Sequence, residues 1–276
     1  MSAMKTTGLS LVIGCILLAG CKRAKSVAAP KYNEHPALQC GYYSYWDGVP
    51  LKGGEIYARD RRFMGLWPTN ENKTLLFVAW PVAEFDTFRA DVEGSYMATI
   101  DLVPGVAERV RQGKRVERIV GSADMPNFYR KPYGPGWALV GDAGYTKDPV
   151  SAYGISDAFR DAELLAEAID AGFADRRPLE LAMSDYEQKR NTASKPLYDM
   201  TIENASMKPR PAFQIEFMRA LKHNPTAASQ FFGVLTGLIN PNDFFTPQNI
   251  FQILKVRGLA KIVLGQIFPT PQRRAS

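Results

Sequence analysis

The segment from Gly136 to Asp170 constrains the fold of this chain more than any other part of its 276-residue sequence. A short apolar run, Trp137–Val140, leads directly into the turn Gly141–Gly144. A loop follows, and apolar residues then recur at the spacing of one helix face. These residues are Ile155, Ala158, Phe159, Ala162, Leu165, Ala166, Ile169 and Phe173. The pattern predicts a strand, a tight turn, a loop and an amphipathic helix, in that order.

This order of elements is suited to holding a small ligand. Glycine has no Cβ, so the backbone at Gly141 and Gly154 can approach a ligand closely. The Asp142 carboxylate can accept hydrogen bonds from ligand hydroxyls, and the start of the helix offers unpaired N–H groups. The same residues are also typical of a plain tight turn with an N-capping aspartate. The spacing alone leaves both interpretations open.

The segment GWALVGDAGYTKDPVSAYGISDAFRDAELLAEAID resembles the second flavin motif of FAD-dependent oxidoreductases related to aromatic-ring hydroxylases. Tryptophan halogenases and geranylgeranyl reductases belong to the same superfamily. The resemblance implies that FAD is the cofactor and that Asp142 holds its ribityl and ribose hydroxyls. It also implies that Gly141 and Ala143 leave room for this part of the cofactor.

The same resemblance implies where the flavin ring would lie. Pro149 would lie beside the isoalloxazine ring, and Gly154 and Ile155 would present backbone N–H groups to it. The upstream aromatic strands and the stretch APKYNEHPAL resemble the substrate-domain sheet of this superfamily, so the resemblance covers most of residues 28–200. The implied function is that of an FAD-binding, monooxygenase-like oxidoreductase acting on an apolar or aromatic small molecule. NAD(P)H is the candidate electron donor.

The sequence also departs from the superfamily pattern. Relatives open with a strand and a GxGxxG turn, which binds the ADP half of FAD at a helix N-terminus. No GxGxxG occurs in this sequence, and Thr146 stands where relatives often carry histidine. We therefore expect a truncated form of the fold, in which Val12–Gly14 is a relic of the first strand. Because the pyrophosphate would lose its usual hydrogen bonds, this chain alone is expected to bind FAD weakly or not at all.

No side chain can be assigned as a catalytic acid or base from the sequence. The flavin would carry out the chemistry, and the protein would supply positioning and a dry pocket. A non-catalytic flavoprotein remnant, which keeps the pocket without stable flavin, is the first alternative function. A lipid-anchored periplasmic binding protein is the second.

The second alternative depends on the first residues. Met1–Cys21 has a charged start, a short apolar run and the tetrapeptide Leu18–Cys21, which is similar to a lipobox. The run is too short for a comfortable membrane span. It predicts either a membrane lipoprotein acylated at Cys21 or the relic strand of a cytoplasmic flavoprotein. The flavin motif favours the cytoplasmic location, because export would deliver an unfolded chain without its cofactor.

The remaining patterns predict an α+β fold, a truncated FAD/NAD(P)-binding fold with a mostly antiparallel sheet. Short aromatic and β-branched runs between residues 41 and 81 predict a meander of four strands. Residues 127–131 are expected to join this sheet, and residues 83–118 are expected to be helical. The predicted regions are 1–28, a relic strand or signal-like segment; 29–135, a substrate-binding sheet; 136–200, the FAD-binding segment; and 201–276, a helical region.

The sequence of the C-terminal third predicts mainly helices. Its helical patterns cover residues 179–197, 213–223, 227–239, 247–256 and 259–268. The many phenylalanines in these helices favour packing between helices over a lipid-facing surface. Lys255, Arg257 and Lys261 stand beside apolar faces, so peripheral membrane contact stays open as an alternative.

Composition excludes several other classes. Hydrophobic residues make up 46% and charged residues 22%, as in ordinary globular proteins. The three cysteines form no CxxC pair and the two histidines form no HExxH motif, so no metal site is expected. Gly154–Ala158 lacks the last glycine of a GxSxG elbow, which argues against a serine hydrolase. The net charge of +6 comes without a long basic run, so no nucleic-acid partner is expected.

Overall fold

The computed structural model describes residues 29–209 and 211–267. The chain divides into two compact units, residues 1–207 and residues 208–276. The signal-like segment Met1–Cys21 and the relic strand expected at Val12–Gly14 lie outside the described residues. In the part of the chain that is described, no helix is long and apolar enough to cross a membrane.

The first half of the first unit is built around an antiparallel sheet. Its elements are β1 (Lys31–His35), β2 (Gln39–Asp47), β3 (Glu55–Arg59), β4 (Arg62–Pro68), β5 (Thr74–Pro81), α1 (Phe85–Ala90), α2 (Val92–Asp101), α3 (Pro104–Gln112), β6 (Lys114–Arg115) and β7 (Val120–Ser122). The sheet has the order β3-β4-β5-β2-β6, and β7 also pairs with β2. The four strands expected between residues 41 and 81 are confirmed.

The strands do not form a simple meander, so that part of the prediction is wrong. β2 pairs along its length with β5, from Gln39 opposite Pro81 to Trp46 opposite Thr74, and not with β3. On its other side β2 meets β6 and β7. Most of β2 is buried, including Ser44. A strand this buried takes a central position, which leaves the more exposed β3 at the edge.

Helices α1 to α3 cover one face of this sheet and form its core. Phe88 of α1 stacks on Tyr42 of β2, with ring centroids 4.1 Å apart. Trp80 of β5 donates a hydrogen bond from Nε1 to Thr99 of α2 over 2.7 Å. Tyr96 of α2 donates from its hydroxyl to the Leu76 carbonyl over 2.8 Å. The helical prediction is confirmed up to Gln112, but it is wrong beyond that residue, where the chain turns into β6.

The rest of the first unit carries a separate small sheet and two long helices. Its elements are β8 (Asn127–Arg130), β9 (Tyr133–Gly134), β10 (Trp137–Ala138), β11 (Tyr145–Thr146), α4 (Gly154–Phe173) and α5 (Leu179–Ala205). β8 lies between β1 and β11 in a three-stranded sheet. The prediction that residues 127–131 join the sheet of residues 41–81 is therefore wrong. Tyr129 stacks on Tyr32 and Tyr145, at centroid distances of 5.5 and 4.9 Å, and these contacts favour the observed pairing.

The flavin-like segment has the predicted order of elements with one shorter strand. The strand expected over Trp137–Val140 covers only Trp137–Ala138, which forms a hairpin with β9. The turn is a short 3₁₀ helix, Gly141–Ala143, and α4 includes the predicted helix. α4 packs against α5 through Ala168, Met183 and Tyr186, which are buried.

The second unit is helical, as expected. It contains α6 (Ala212–Lys222), α7 (Pro225–Leu235), α8 (Pro241–Phe244) and α9 (Pro247–Ile267). Phe217, Phe231 and Phe244 pack against one another at centroid distances of 5.8 to 6.2 Å. Phe232 and Leu238, in contrast, are 61% and 85% exposed. The two helices expected over residues 247–268 are both present within Pro247–Ile267, and they are separated by a kink at Lys255, where φ is 54°.

Candidate functional site

A pocket of about 270 Å³ lies where the glycine turn, the loop after β11 and the first turn of α4 meet. All of its lining residues fall between Gly141 and Asp157. Its volume lies just below the range of about 300–1,000 Å³ that is typical of small-molecule sites. The pocket therefore has room for a ring system, but not for a whole dinucleotide.

The structure brings most of the residues singled out from the sequence to this pocket. The lining includes Gly141, Asp142, Pro149, Gly154 and Ile155. Their contact with a cofactor stays a prediction.

Ala143, the remaining residue of that set, does not belong to the pocket lining. It packs instead against Ala29 and Leu139. This difference follows from the 3₁₀ turn, which directs consecutive residues to different sides of the backbone.

The backbone at Gly141 lies very close to helix α4, as a glycine at this position suggests. Its φ is +57°, and a Cβ there would lie 2.9 Å from the Cβ of Ala158 on α4. No other residue fits this place without strain, because both the backbone conformation and the contact favour glycine. The glycine thereby lets the turn lie directly against the helix at the edge of the pocket.

Replacing Gly141 with alanine should lower the free energy of unfolding by about 2–3 kcal/mol. Gly136→Ala is the matched control, because Gly136 has a similar φ of +76° but open space around its Cβ position. Urea titration monitored by tryptophan fluorescence measures both changes. Equal losses in the two variants would show that only backbone conformation matters at Gly141, and not the contact with Ala158.

Asp142 lies at the exposed edge of the pocket, close to the start of α4. Its Oδ1 lies 3.8 Å from the point where a Cβ on Gly154 would be placed. Burial among the pocket walls raises the pKa of Asp142, and Lys147 opposes this shift. Tyr153, and not Asp142, occupies the N-cap position of α4. The carboxylate is thus placed beside the pocket, where a ligand hydroxyl can reach it.

Asp148 and its partners form a buried polar group beside the pocket that the sequence analysis missed. Asp148 is fully buried, and its Oδ1 accepts hydrogen bonds from Gln39 Nε2 over 2.5 Å and from the Val150 N–H over 2.9 Å. Its own backbone N–H donates to Asn127 Oδ1 over 2.7 Å. Burial raises the pKa of Asp148 to about 7, against the lowering effect of the two hydrogen bonds. The carboxyl is therefore mostly protonated, and uncharged, at pH values below about 7.

Lys147 and Asp157 of the pocket lining belong to a set of paired charges. Lys147 pairs with Asp157, and both side chains are almost completely buried. Arg160 contacts Asp157 over 2.7 Å and Asp161 over 2.9 Å, and it donates to the Tyr145 hydroxyl over 2.9 Å. The two cations and two carboxylates compensate one another, so the set presents little net charge to a ligand.

These features fit the ring end of a flavin. Among the described residues, no group of three or more His, Cys, Asp or Glu side chains could hold a metal ion. The pocket instead offers a helix start, the Asp142 carboxylate and two buried polar atoms, Asp148 Oδ2 and Ser151 Oγ, that have no partner among the described residues. Unsatisfied buried polar groups of this kind point to a ligand with its own hydrogen-bonding atoms.

Comparison with known proteins gives matches only in structure. No protein-family model matches the chain, and no curated protein matches it in sequence. A flavin-dependent brominase is 17% identical with a TM-score of 0.65, over 89% of this chain and 62% of the brominase. The myxobacterial chondrochloren halogenase, an FAD-dependent halogenase, is 16% identical with a TM-score of 0.59, over 86% of this chain and 58% of the halogenase.

A third match is a probable FAD-dependent monooxygenase from Pseudomonas aeruginosa, which has also been solved with 2-aminobenzoylacetate. It is 19% identical with a TM-score of 0.57, over 67% of this chain and 52% of the monooxygenase. The chain thus spans between half and two thirds of the length of these three proteins. At such low identities the likeness shows a common fold, the α+β fold that the flavin-motif resemblance implies.

Proposed function

We propose that this chain binds the isoalloxazine ring of FAD in the pocket at the start of α4 and acts as a monooxygenase-like oxidoreductase. The proposed substrate is an apolar or aromatic small molecule, with NAD(P)H as the electron donor. One observation carries the proposal: the turn, the loop and the helix of the flavin-like segment converge on a single ring-sized pocket. The fold shared with flavin-dependent halogenases and a monooxygenase supports it.

In this proposal, different residues around the pocket bind different parts of the flavin. The bound flavin would supply the redox chemistry. Asp142 would accept hydrogen bonds from the ribityl hydroxyls at the pocket edge. The first N–H groups of α4, at Gly154 and Ile155, would bind the polar edge of the ring.

Exposed apolar side chains at the rim of the pocket support the choice of an apolar substrate. Ile155 belongs to the pocket lining and is 76% exposed, and Phe159 follows one helical turn later with 75% of its side chain exposed. Two neighbouring apolar side chains in water favour contact with an apolar or aromatic molecule. The match to a monooxygenase solved with 2-aminobenzoylacetate agrees with this choice of substrate class.

Binding of riboflavin and of lumiflavin tests the proposal, because lumiflavin has the same ring but no ribityl chain. Asp142→Asn should weaken riboflavin binding by about 10-fold, since hydrogen bonds to a charged group are lost. The same variant should leave lumiflavin binding unchanged. Flavin fluorescence titrations measure both affinities, and equal effects on the two ligands would contradict the role given to Asp142.

FAD serves as the third ligand in the same titration. Without a GxGxxG turn in the sequence, we expect FAD to bind within a few-fold of riboflavin. A FAD affinity 100-fold above that of riboflavin would reveal a pyrophosphate site elsewhere in the chain.

The missing glycine motif also favours a second candidate, a flavin-binding protein without catalytic activity. Oxidation of NAD(P)H in the presence of flavin separates the two candidates, since only an oxidoreductase consumes the nucleotide.

A further inference from the structure

Two residues of the pocket lining carry polar atoms that no group in the described part of the chain satisfies. Asp148 Oδ2 and Ser151 Oγ are both buried, and neither has a hydrogen-bonding partner among the described residues. They belong to the same short loop, on either side of Pro149 and Val150. A buried polar atom without a partner costs about 1–3 kcal/mol, so two of them beside one pocket require an explanation.

The protein holds the Asp148 carboxyl firmly by its other oxygen. Oδ1 accepts from Gln39 Nε2 and from the Val150 N–H, and the backbone N–H of Asp148 is bound by Asn127. This arrangement fixes the position of the carboxyl group and leaves only Oδ2 free. Ser151 lies in the 3₁₀ turn Pro149–Ser151, and Asp148 is the N-cap of this turn.

We infer that Asp148 and Ser151 form a donor subsite that hydrogen-bonds a carbonyl oxygen of the bound ring. The inference rests on the proposed function, because the isoalloxazine ring is the ligand that brings ring carbonyl groups to this pocket. It adds a side-chain contact to those expected from Asp142 and from the start of α4. The subsite would select the orientation in which a carbonyl edge of the ring faces the loop.

The chemistry of both residues fits a donor role. Since burial raises the pKa of Asp148 to about 7, its carboxyl carries a proton at about pH 6 and can donate it in a hydrogen bond. The Ser151 hydroxyl donates at any pH in the working range. The charged groups of the pocket do not oppose this, because Lys147 and Asp157 pair with each other. A competing acceptor exists within the protein, since Gln39 Oε1 is also buried and has no partner among the residues that the structure describes.

Lumiflavin binding at about pH 6 tests the subsite without involving the ribityl contact. Asp148→Asn keeps an N–H donor and should bind lumiflavin within about 2-fold of the unaltered chain. Asp148→Leu removes the donor and should bind about 10-fold more weakly, and Ser151→Ala about 3-fold more weakly. The infrared carbonyl band of bound lumiflavin gives a second readout. It should move to lower frequency on the unaltered chain and return towards its free value in Asp148→Leu.

Circular dichroism shows whether each variant is folded, and Asp86→Asn, an exposed change away from the pocket, is the control. If Asp148→Leu does not fold, Ser151→Ala and the carbonyl band of the unaltered chain decide the question. Equal binding by all variants with an unshifted band would overturn the subsite and show that Asp148 shares its proton with Gln39. If the unaltered chain binds no lumiflavin at all, the proposed function fails and the subsite fails with it.

Discussion

Raising the pH from about 4 to about 7 should lower the free energy of unfolding by about 3 kcal/mol through Asp148 alone. Its pKa is about 7 in the folded chain, raised by burial from a usual value of 3.8. Between these two values the unfolded chain releases the proton and the folded chain keeps it. The stabilisation is therefore complete below the lower value and is lost as the pH rises through the upper one.

Asp148→Asn should lack this pH dependence, because an amide does not ionise in this range. Urea titrations at a series of pH values, read by fluorescence, measure the difference between the variant and the unaltered chain. All four tryptophans lie between residues 46 and 137, so their emission reports on the first unit. Asp86→Asn makes the same substitution at an exposed position and is the control. Parallel profiles for Asp148→Asn and the unaltered chain would contradict a neutral Asp148.

Replacing Arg190 with methionine should lower the free energy of unfolding of the first unit by about 3 kcal/mol. Arg190 is fully buried. Its guanidinium donates to the Tyr32 hydroxyl over 2.8 Å, to the Arg130 carbonyl over 3.2 Å and to the Gly144 carbonyl over 3.4 Å. It thereby connects α5 with β1, β8 and the end of the glycine turn. Methionine fills part of the space but makes none of these hydrogen bonds.

The control for this prediction is Arg176→Met. Arg176 pairs with Asp170 on the surface, and its side chain is 58% exposed. Surface ion pairs of this kind contribute less than about 1 kcal/mol. Urea denaturation measures both variants, and a loss at Arg190 no larger than that at Arg176 would show that the buried hydrogen bonds are unimportant.

The sequence predicts the local features of the pocket because its signals are local. A glycine that must have positive φ, a proline after Asp148 and the apolar spacing of α4 all lie within about 35 residues. Each of these signals constrains the backbone of its immediate neighbours. They were therefore sufficient to bring Gly141, Asp142, Pro149, Gly154 and Ile155 to one place.

The pairing of the strands could not be predicted in the same way. The run Asn127–Arg130 is compatible with either sheet, since its composition does not determine which strand it pairs with. Its partners, β1 and β11, are selected by aromatic stacking of Tyr129 with Tyr32 and Tyr145. These contacts join residues that are far apart in sequence, and no periodic pattern in the sequence predicts them.

The buried polar residues beside the pocket were missed for a related reason. Gln39 is an unremarkable polar residue before an aromatic strand, and only the fold places it against Asp148. Similarly, nothing near Arg190 in the sequence indicates that its side chain is completely buried. Such residues find partners on distant elements, and their importance becomes visible only in three dimensions.

The supports of the pocket loop also determine when the site forms during synthesis. Gln39 precedes Asp148 by 109 residues, whereas Arg190, which holds the Gly144 carbonyl, follows that glycine by 46. Chains emerge from the ribosome with the N-terminal end first. A growing chain that has not yet exposed Arg190 lacks one of these supports even though every pocket-lining residue has already been made. The pocket is therefore completed only after most of the first unit has been translated, and its ligand enters a nearly finished chain.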